Sequence, residues 1–278
     1  MAELVRNVSD TARWVATYRA EESTRQDALF RDPLADRLAG ERGRAIAKRA
    51  SPHSRWALIT RTQIIDEYVG AVLKEGSDRV LNLAAGFDTR PYRLDLPADL
   101  LWVEADLPEL VAEKEQLLAG EQPRCRLERD AVDLSDPAAL DDFLTRRLAG
   151  AQRATVISEG LVLYLDEAVV TRLARTLLAH SNIHSWILDF NSPRITAEMT
   201  SSMRGLLDSA PFKFAPPNGI AFFEALGWKP RELRSLFHEG ARLKRLPLLM
   251  RPFAFFPPPN PRALGNERWS GVVRLERA

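Results

Sequence analysis

The sequence predicts an α/β fold, with a doubly wound, mostly parallel sheet behind a helical N-terminal cap. Residues 1 to about 76 have helical patterns and no strand-like alternation. From Asp78 onward, short apolar runs alternate with segments of helical period, which favours parallel strands covered by helices on both faces. The first run ends in a small-residue turn at Gly86, where sheets of this class bind ligands. We therefore predict a cap or lid, residues 1–76, and a core, residues 77–278, that form one structural unit.

The N-terminal region contains three predicted helices. Thr11–Glu22 is a run without glycine or proline, and Ser54–Leu73 is one long helical pattern. Between them, Pro33–Ala39 follows Asp32, whose side chain is of a type that caps helices. We expect these helices to act as the lid of a pocket.

Six short segments of the core have the character of strands, and the first five are expected to be buried. They are Arg79–Ala84, Leu101–Ala105, Arg124–Ala131, Ala154–Ser158, Ser185–Phe190 and the closing Ser270–Leu275. The clearest helix, Pro137–Leu148, has Asp136 as its expected cap and proline at its first position. The other predicted helices of the core are Pro108–Leu118, Glu167–His180, Gly219–Leu226 and Pro230–Glu239.

Composition excludes several classes of protein. The 278 residues carry 39 basic and 38 acidic side chains, without the positive excess that nucleic-acid or anionic-membrane binding usually needs. A local basic patch is compatible with this balance. No stretch approaches the roughly 18 apolar residues of a membrane span, and the single Cys125 can form neither an internal disulfide nor a cysteine-rich zinc site. We expect a cytoplasmic protein that binds no metal, nucleic acid or membrane.

The turn at Gly86 is the first candidate ligand site. An apolar strand runs into Ala84, Ala85 and Gly86, and small residues let a ligand approach the backbone. The turn has one glycine, so the G-x-G-x-x-G pattern of dinucleotide binding is absent, as is a Walker lysine. These absences disfavour a pyrophosphate ligand. A tight turn without a ligand is the alternative.

Acidic residues follow the next three predicted strands. Asp106 stands twenty residues beyond Gly86, at the spacing of an acid that accepts hydrogen bonds from ribose hydroxyls, and Glu104 is its rival for this role. Asp133 and Glu159 follow the third and fourth strands. Because parallel strands end at one edge of a sheet, these groups are expected to meet in a crevice. Such a row suits an adenosine that carries a positive centre.

Several motifs of the chain resemble one family. The sequence is similar to the leucine carboxyl methyltransferase superfamily, above all to its bacterial S-adenosylmethionine-dependent O-methyltransferases, which include polyketide carboxyl methyltransferases. The matching segments are Asn82–Arg93, Glu104–Pro108, Asp133–Leu134, Thr11–Ala16, Arg19–Glu21 and Leu29–Ala35. The likeness runs from about residue 10 to at least residue 190. It implies a class I methyltransferase fold with a helical cap.

The resemblance implies roles for residues at the strand ends. Gly86 is expected under the methionine portion of S-adenosylmethionine, and Asp106 is expected to bind the ribose. Asp133 and Leu134 are expected beside the adenine, and Glu159 near the methionine amino group. Ala85 departs from the family, where many members have glycine; its methyl group is acceptable if its φ is negative.

The resemblance also implies an arginine for the methionine carboxylate. Arg61 matches that family position, and Arg19 is a second candidate. An exposed helix arginine without a ligand is the alternative for Arg61.

The reaction implied is methyl transfer from S-adenosylmethionine as co-substrate, without a metal, to a carboxylate or hydroxyl of a small apolar molecule. A carboxylate needs no general base, and none of the four histidines lies in a motif that nominates one. Tyr164 is the candidate for positioning the acceptor, with simple packing as the alternative. Trp14, Tyr18 and Trp56 are candidates for the pocket wall or for the core.

Three other functions stay open on the sequence alone, and the first is a non-catalytic binding module, in which the acids at the strand ends bind no ligand. An NAD-dependent oxidoreductase shares the sheet and the ribose acid but needs the glycine-rich turn that is missing here. The eukaryotic relatives methylate the C-terminus of a protein, for which this sequence offers no recognisable docking surface. Phenylalanines crowd the C-terminal third and suit either an apolar acceptor or a repacked core. The sequence predicts no oligomeric state.

Overall fold

A computed structural model describes residues 8–50, 52–203 and 210–277. Within these residues the strands form one seven-stranded sheet of order β3-β2-β1-β4-β5-β7-β6. The strands β1 to β5 are parallel, and β7 is antiparallel to both β5 and β6. Their bounds are β1 Arg79–Leu83, β2 Leu101–Asp106, β3 Arg126–Ala131, β4 Ala154–Ser158, β5 Ile183–Asn191, β6 Trp228–Ser235 and β7 Ser270–Arg277. The doubly wound, mostly parallel sheet is confirmed.

Helices precede the sheet and connect its strands. Their bounds are α1 Val8–Ser23, α2 Ala35–Arg49, α3 Pro52–Lys74, α4 Arg90–Arg93, α5 Pro108–Leu117, α6 Pro137–Leu148, α7 Glu167–Ala179, α8 Pro193–Ser202, α9 Ala221–Glu224 and α10 Leu236–Arg242. Short 3₁₀ segments occupy Val162–Tyr164 and Leu248–Phe255. No helix in the described ranges has the length and apolar character needed to cross a bilayer.

Alternate residues of the strands build two apolar layers. Val80 and Trp102 face α3 on one side of the sheet, while Leu81 and Val103 face α6 and α7 on the other. This period of two is the expected geometry of a strand that is covered on both faces. The buried layers fix the strand ends relative to one another and so position the loops that follow them.

The third strand differs from its prediction. β3 begins at Arg126 rather than Arg124, and none of its residues is buried. It lies at the edge of the sheet, next to β2 only. Charged side chains are tolerated there because one side of an edge strand meets solvent, and they discourage pairing with another chain.

The predicted helix Pro230–Glu239 is wrong. Its first part belongs to the edge strand β6, and α10 begins only at Leu236. The sequence pattern misleads because Pro230 and Leu233 have helical spacing. Proline fits this strand because β6 is at the edge and its register shifts between Pro230 and Glu232. The neighbouring prediction Gly219–Leu226 is a shorter helix, α9.

The N-terminal region is helical as predicted, but its second helix is displaced. α2 begins at Ala35, Leu34 occupies the N-cap position, and the helix continues to Arg49 past a kink at Gly40. Asp32 is therefore not the N-cap. Its carboxylate lies in the interior, where an arginine of α1 binds it.

Candidate active site

A large cleft lies at the carboxyl edge of the parallel strands, between the strand ends and α1. Its volume is about 1380 Å³, above the roughly 300–1,000 Å³ of a typical small-molecule pocket. Of the ten residues predicted for the site, nine line it and Glu104 does not. The nine are Arg19, Arg61, Ala85, Gly86, Asp106, Asp133, Leu134, Glu159 and Tyr164. The chain thus brings together residues up to 145 positions apart, from α1 to the segment after β4.

Two residues with left-handed backbone shape the turn after β1. Ala84 has φ 52° and Gly86 has φ 48°, whereas Ala85 keeps a negative φ. The methyl group of Ala85 is therefore accommodated without strain. A Cβ built on Gly86 lies 3.2 Å from the Cβ of Ala12 on α1. Glycine is favoured at position 86 both by its φ and by the close approach of α1.

Asp106 ends β2 and holds the Gly86 turn. Its Oδ2 accepts a hydrogen bond from the Gly86 amide at 2.6 Å, and its Oδ1 accepts one from the Leu107 amide at 2.8 Å. Burial raises the pKa of the Asp106 carboxyl above its ordinary value, and the two backbone donors offset this only in part. Asp106 thus presents a carboxylate to the cleft at the end of the strand.

Glu104 lies inside the sheet instead. It is 2% exposed and stands between Asn82 of β1 and Arg129 of β3 in the strand register. Its Oε2 is 2.8 Å from both Lys114 Nζ and Arg129 Nε. Of the two rival acids, the structure therefore brings Asp106 to the cleft and keeps Glu104 in a buried ion pair.

Asp133 and Leu134 follow β3 and form the far wall of the cleft. Asp133 is exposed, and its Oδ1 accepts hydrogen bonds from the Ser135 amide at 2.9 Å and the Ser135 hydroxyl at 2.7 Å. These hydrogen bonds lower the pKa of Asp133. Leu134 packs against the apolar layer under α6. A polar group and an apolar face thus lie side by side there.

Arg61, on α3, lies between two carboxylates. Its Nε is 3.0 Å from Glu159 Oε1, and its Nη1 is 3.0 Å from Asp189 Oδ2. The residue is 8% exposed, so it is a buried arginine and not a solvated one. Burial acts to lower the pKa of Arg61, but Asp189 and Glu159 outweigh it and raise the pKa. Its Nη2 makes no hydrogen bond to the described residues and is an available donor.

A second buried arginine fixes the other side of Glu159. Arg90 is 1% exposed, and its Nη1 is 2.8 Å from both Glu159 Oε2 and Asp88 Oδ2. Its Nε lies 2.7 Å from Asp66 Oδ1. Burial acts to raise the pKa of Glu159, but Arg90 and Arg61 lower it overall, which keeps the carboxylate ionised.

Four charged residues around Arg61 and Glu159 were not predicted from the sequence: Asp66, Asp88, Arg90 and Asp189. Asp189 carried a usable signal, because it is a lone acid inside the apolar run of β5. Asp66 and Arg90 carried none, because they lie 24 residues apart and pair only once the chain has folded.

Arg19 holds α1 against the turn after β1. Its Nε is 2.8 Å from Asp32 Oδ2, and its Nη2 donates to the Phe87 carbonyl at 2.6 Å. Thr89 also donates to Asp32 Oδ2, at 2.6 Å. We name Arg19, Asp32 and Thr89 the cap staple. Arg19 lines the cleft, but its guanidinium is already bound to the protein at two nitrogens.

Tyr164 is exposed to the cleft on one side and contacts an aromatic neighbour on the other. It lines the cleft, and its ring packs on Phe212 with centroids 5.3 Å apart. Its hydroxyl hydrogen bonds to the side chain of Thr11 on α1, and burial raises the pKa of the phenol. Trp14 and Trp56 extend this aromatic wall, whereas Tyr18 is buried in the core of the cap.

The residues present fit S-adenosylmethionine. The cleft has a carboxylate at the end of β2 for ribose hydroxyls, an unused Nη2 of Arg61 for a carboxylate, and Glu159 for a positive group. In residues 8–50, 52–203 and 210–277, histidine, cysteine, aspartate and glutamate form no group of three that could hold a metal ion.

Comparison with known proteins agrees with this geometry. Relatives from Frankia alni and Parafrankia sp. both carry the name "Putative S-adenosyl-L-methionine-dependent methyltransferase". The first is 31% identical over 244 residues, which cover 80% of this chain and 86% of the relative. The second is 30% identical over 249 residues, with coverage of 82% and 79%.

The fold and the family follow from two further matches. A solved DUF574 family protein from Streptomyces avermitilis superposes with a TM-score of 0.60 at 16% identity, over 95% of this chain and 97% of that one. The class I methyltransferase fold is confirmed. The model of the leucine carboxyl methyltransferase family matches residues 12–178, which contain most of the cap, the Gly86 turn, Asp106, Asp133 and Glu159. The chain belongs to the leucine carboxyl methyltransferase family.

Proposed function

We propose that the protein is an S-adenosylmethionine-dependent O-methyltransferase that esterifies a carboxylate of a small, apolar molecule, such as a polyketide-type natural product. The observation that carries the proposal is a single cleft with two different walls. Acids and a buried arginine line it at the strand ends, and aromatic side chains line it under the cap. Membership of the family and the names of the relatives support the methyl-transfer part.

The strand ends provide the donor half of the cleft. In this proposal Asp106 accepts the ribose hydroxyls, and Asp133 and Leu134 border the adenine. Arg61 donates its free Nη2 to the methionine carboxylate, and Glu159 receives the amino group. Arg90 and Asp189 act as positioning residues, because each fixes one of these two side chains by an ion pair.

The cap and the C-terminal region provide the acceptor half. Trp14, Trp56, Phe212 and Phe237 line the cleft there, together with Met203. Aromatic and apolar walls bind a ligand by burying its surface, with few polar groups to orient it. An apolar acceptor with one reactive polar group matches this lining.

Two titratable groups of the acceptor half, Tyr164 and His238, are poorly suited to act as a general base, which favours a carboxylate acceptor. Burial raises the pKa of the Tyr164 phenol further above neutral pH, which makes Tyr164 a weaker acid than an ordinary tyrosine. Both ring nitrogens of His238 are engaged, one with the Ser235 hydroxyl at 3.2 Å and the other with the Phe256 carbonyl at 2.9 Å. A phenol or alcohol needs a general base, whereas a carboxylate is already ionised at neutral pH.

When bound, S-adenosylmethionine supplies a methyl group that its sulfonium already activates. The residues of the chain then align the acceptor oxygen with that methyl and exclude water. The oxygen lone pair forms the new C–O bond, and the S–C pair of electrons returns to sulfur. A carboxylate acceptor releases no proton in this step.

Transfer of a radiolabelled methyl group tests the proposal. The purified protein is incubated with methyl-labelled S-adenosylmethionine and a panel of aromatic and aliphatic acids, phenols and peptides with a free C-terminus. We expect labelled product from apolar acids, and alkali should release the label as methanol because methyl esters are base-labile.

The panel also separates the alternatives. An alkali-stable labelled product from phenols would show that the acceptor is a hydroxyl. Labelled peptides would show that the acceptor is the C-terminal carboxylate of a protein. Tight calorimetric binding of NAD without binding of S-adenosylhomocysteine overturns methyl transfer altogether. The Asp106→Asn variant is the control for site-dependent turnover.

A further inference from the structure

Exposed apolar side chains concentrate at the rim of the cleft. Among the described residues, the large apolar side chains that are exposed, apart from Leu107, all lie on the 3₁₀ segment Leu248–Phe255 and the adjoining Phe256. We name this segment the apolar lip. Five apolar side chains of the lip are between 62% and 92% exposed: Leu248, Leu249, Phe253, Phe255 and Phe256. Contiguous exposed apolar side chains mark an interaction site.

The lip has two sides. Met250, Phe253 and Phe256 line the cleft, whereas Leu248, Leu249 and Phe255 do not. If the lip closes over an acceptor, only the side chains that line the cleft, Met250, Phe253 and Phe256, become covered. Leu249 and Phe255, which are 90% and 92% exposed, need a partner outside the cleft.

The charged side chains in and around the lip are all cationic. Residues 240–266 contain five cationic side chains and no aspartate or glutamate. Three of the cations pair with carboxylates elsewhere: Arg242, Arg245 and Arg262. The other two, Lys244 and Arg251, form no ion pair with any described residue. Arg251 lies within the lip, and its guanidinium donates to the Leu246 and Lys244 carbonyls at 3.0 and 3.1 Å.

We propose that the apolar lip docks on an anionic lipid bilayer, with Leu249 and Phe255 in the interface and Lys244 and Arg251 on the phospholipid headgroups. Apolar side chains beside unpaired cations are the usual composition of an interfacial segment. The mouth of the cleft then opens toward the bilayer, from which an apolar molecule can enter. This proposal departs from the expectation, drawn from the chain-wide net charge, that the protein binds no membrane.

A second copy of the chain is the competing occupant. In a two-fold dimer the same patch meets itself, so the cations of two lips face each other. Residues 240–266 provide no carboxylate to compensate them. The charges therefore favour an anionic surface over a second lip. This proposal does not depend on the methyl-transfer reaction.

Vesicle co-sedimentation tests the docking. The full chain is mixed with neutral vesicles of phosphatidylcholine, or with anionic vesicles that contain phosphatidylcholine and phosphatidylglycerol in equal amounts. We expect binding to the anionic vesicles that weakens with salt. The double variant Leu249→Asp with Phe255→Asp should stay in the supernatant. The double variant Lys244→Gln with Arg251→Gln should bind the anionic vesicles about thirtyfold more weakly. Each cation near an anionic surface contributes about 1 kcal/mol to binding, and two such contributions correspond to that factor.

The matched control adds two acidic groups elsewhere. Ala119 and Ala149 are exposed and lie at the far ends of the segments that follow β2 and β3. Ala119→Asp with Ala149→Asp should therefore bind vesicles more strongly than the lip variant, by at least tenfold. Every variant is checked by thermal unfolding and by calorimetric binding of S-adenosylhomocysteine.

Three results overturn the proposal. They are absence of binding to anionic vesicles, equal binding by the lip variant and the wild type, and a concentration-dependent dimer that the lip variant abolishes. The last identifies a second copy as the occupant.

Discussion

Gly86 is the residue whose backbone decides the shape of the turn. An alanine at this position would have to adopt a φ of 48°, and its Cβ would lie 3.2 Å from the Cβ of Ala12. We expect Gly86→Ala to lower the free energy of unfolding by about 1–2 kcal/mol, the cost of left-handed backbone, and to weaken binding of S-adenosylmethionine. Urea unfolding and calorimetry measure the two effects.

Gly76 provides the matched control for this substitution. It also has a positive φ, of 88°, but a Cβ built there meets nothing within 4 Å. Gly76→Ala should therefore reduce stability without changing affinity for the donor. Unchanged donor affinity in Gly86→Ala contradicts a role for the turn in binding.

Asp106 is expected to carry the ribose contact and part of the pH dependence. Asp106→Asn should weaken binding of S-adenosylhomocysteine about tenfold to 100-fold, because a hydrogen bond to a charged group contributes about 1.5–3 kcal/mol. Burial raises the pKa of Asp106. The carboxylate is thus lost on acidification at a higher pH than an ordinary aspartate, and affinity should fall as the pH drops through that range.

Calorimetry from pH 4 to pH 8 checks this dependence. The Asp106→Asn variant should show a smaller loss of affinity on acidification than the wild type. Asp141→Asn, at an exposed aspartate of α6 outside the cleft, should behave as the wild type. A pH profile that is identical in the wild type and Asp106→Asn contradicts the assignment.

Single residues were predictable where spacing along the chain determines their place. Gly86, Asp106 and Glu159 each follow a parallel strand, and such strands end at one edge of the sheet. Glu104 was not separable from Asp106, because only the strand register shows that its side chain stays among buried ion pairs. Partners such as Arg90 depend on contacts between distant segments, which no local pattern contains.

At the scale of elements, the cap staple joins α1 to the turn after β1. Arg19→Met leaves the carboxylate of Asp32, which is 2% exposed, without its arginine partner. Breaking a buried pair from one side costs about 3–5 kcal/mol. We expect a loss of that order in the free energy of unfolding at pH 7, together with weaker donor binding, because Arg19 also holds the Phe87 carbonyl.

The pH dependence of this variant has a definite sign. In the wild type, burial acts to raise the pKa of Asp32, but Arg19, Arg93 and Thr89 lower it overall. Its contribution to stability is therefore present at neutral pH and is lost as the pH falls through the lowered pKa. In Arg19→Met we expect the effect of burial to exceed those of Arg93 and Thr89 and to raise the pKa of Asp32. The deficit of Arg19→Met should then shrink between pH 7 and pH 5, measured by urea unfolding.

The charge-neutral variant Asp32→Asn is the control for this effect. Added to Arg19→Met, it should recover part of the stability at pH 7 and remove the difference between pH 7 and pH 5. A deficit in Arg19→Met that grows on acidification contradicts the buried ion pair.

Elements were predictable where one local pattern dominates. The parallel strands and the crossover helices α6 and α7 combine clear apolar periodicity with marked ends, and they were placed within a few residues. The β6 edge strand was not, because Pro230 and a shifted register are tolerated only at the edge of a sheet. Position in the sheet is a property of the fold, and the local sequence does not contain it.

At the scale of the whole molecule, the order of strands and helices predicted the cleft but not its size. The cleft reaches about 1380 Å³ because the cap and the segment after α10 both extend over the strand ends. The phenylalanines of the C-terminal third divide accordingly. Phe214 and Phe223 fill the core, Phe212 lines the cleft, and Phe255 lies exposed on the lip. Composition alone does not show which phenylalanines lie in the core, which line the cleft and which are exposed on the lip.

A crystal structure of the complex with S-adenosylhomocysteine tests the central claim most directly. We predict the ribose hydroxyls on the Asp106 carboxylate, the methionine carboxylate on Nη2 of Arg61, and the sulfur directed toward Trp14 and Trp56. A ligand bound outside the cleft, or bound with its methionine end away from Arg61, would contradict the claim.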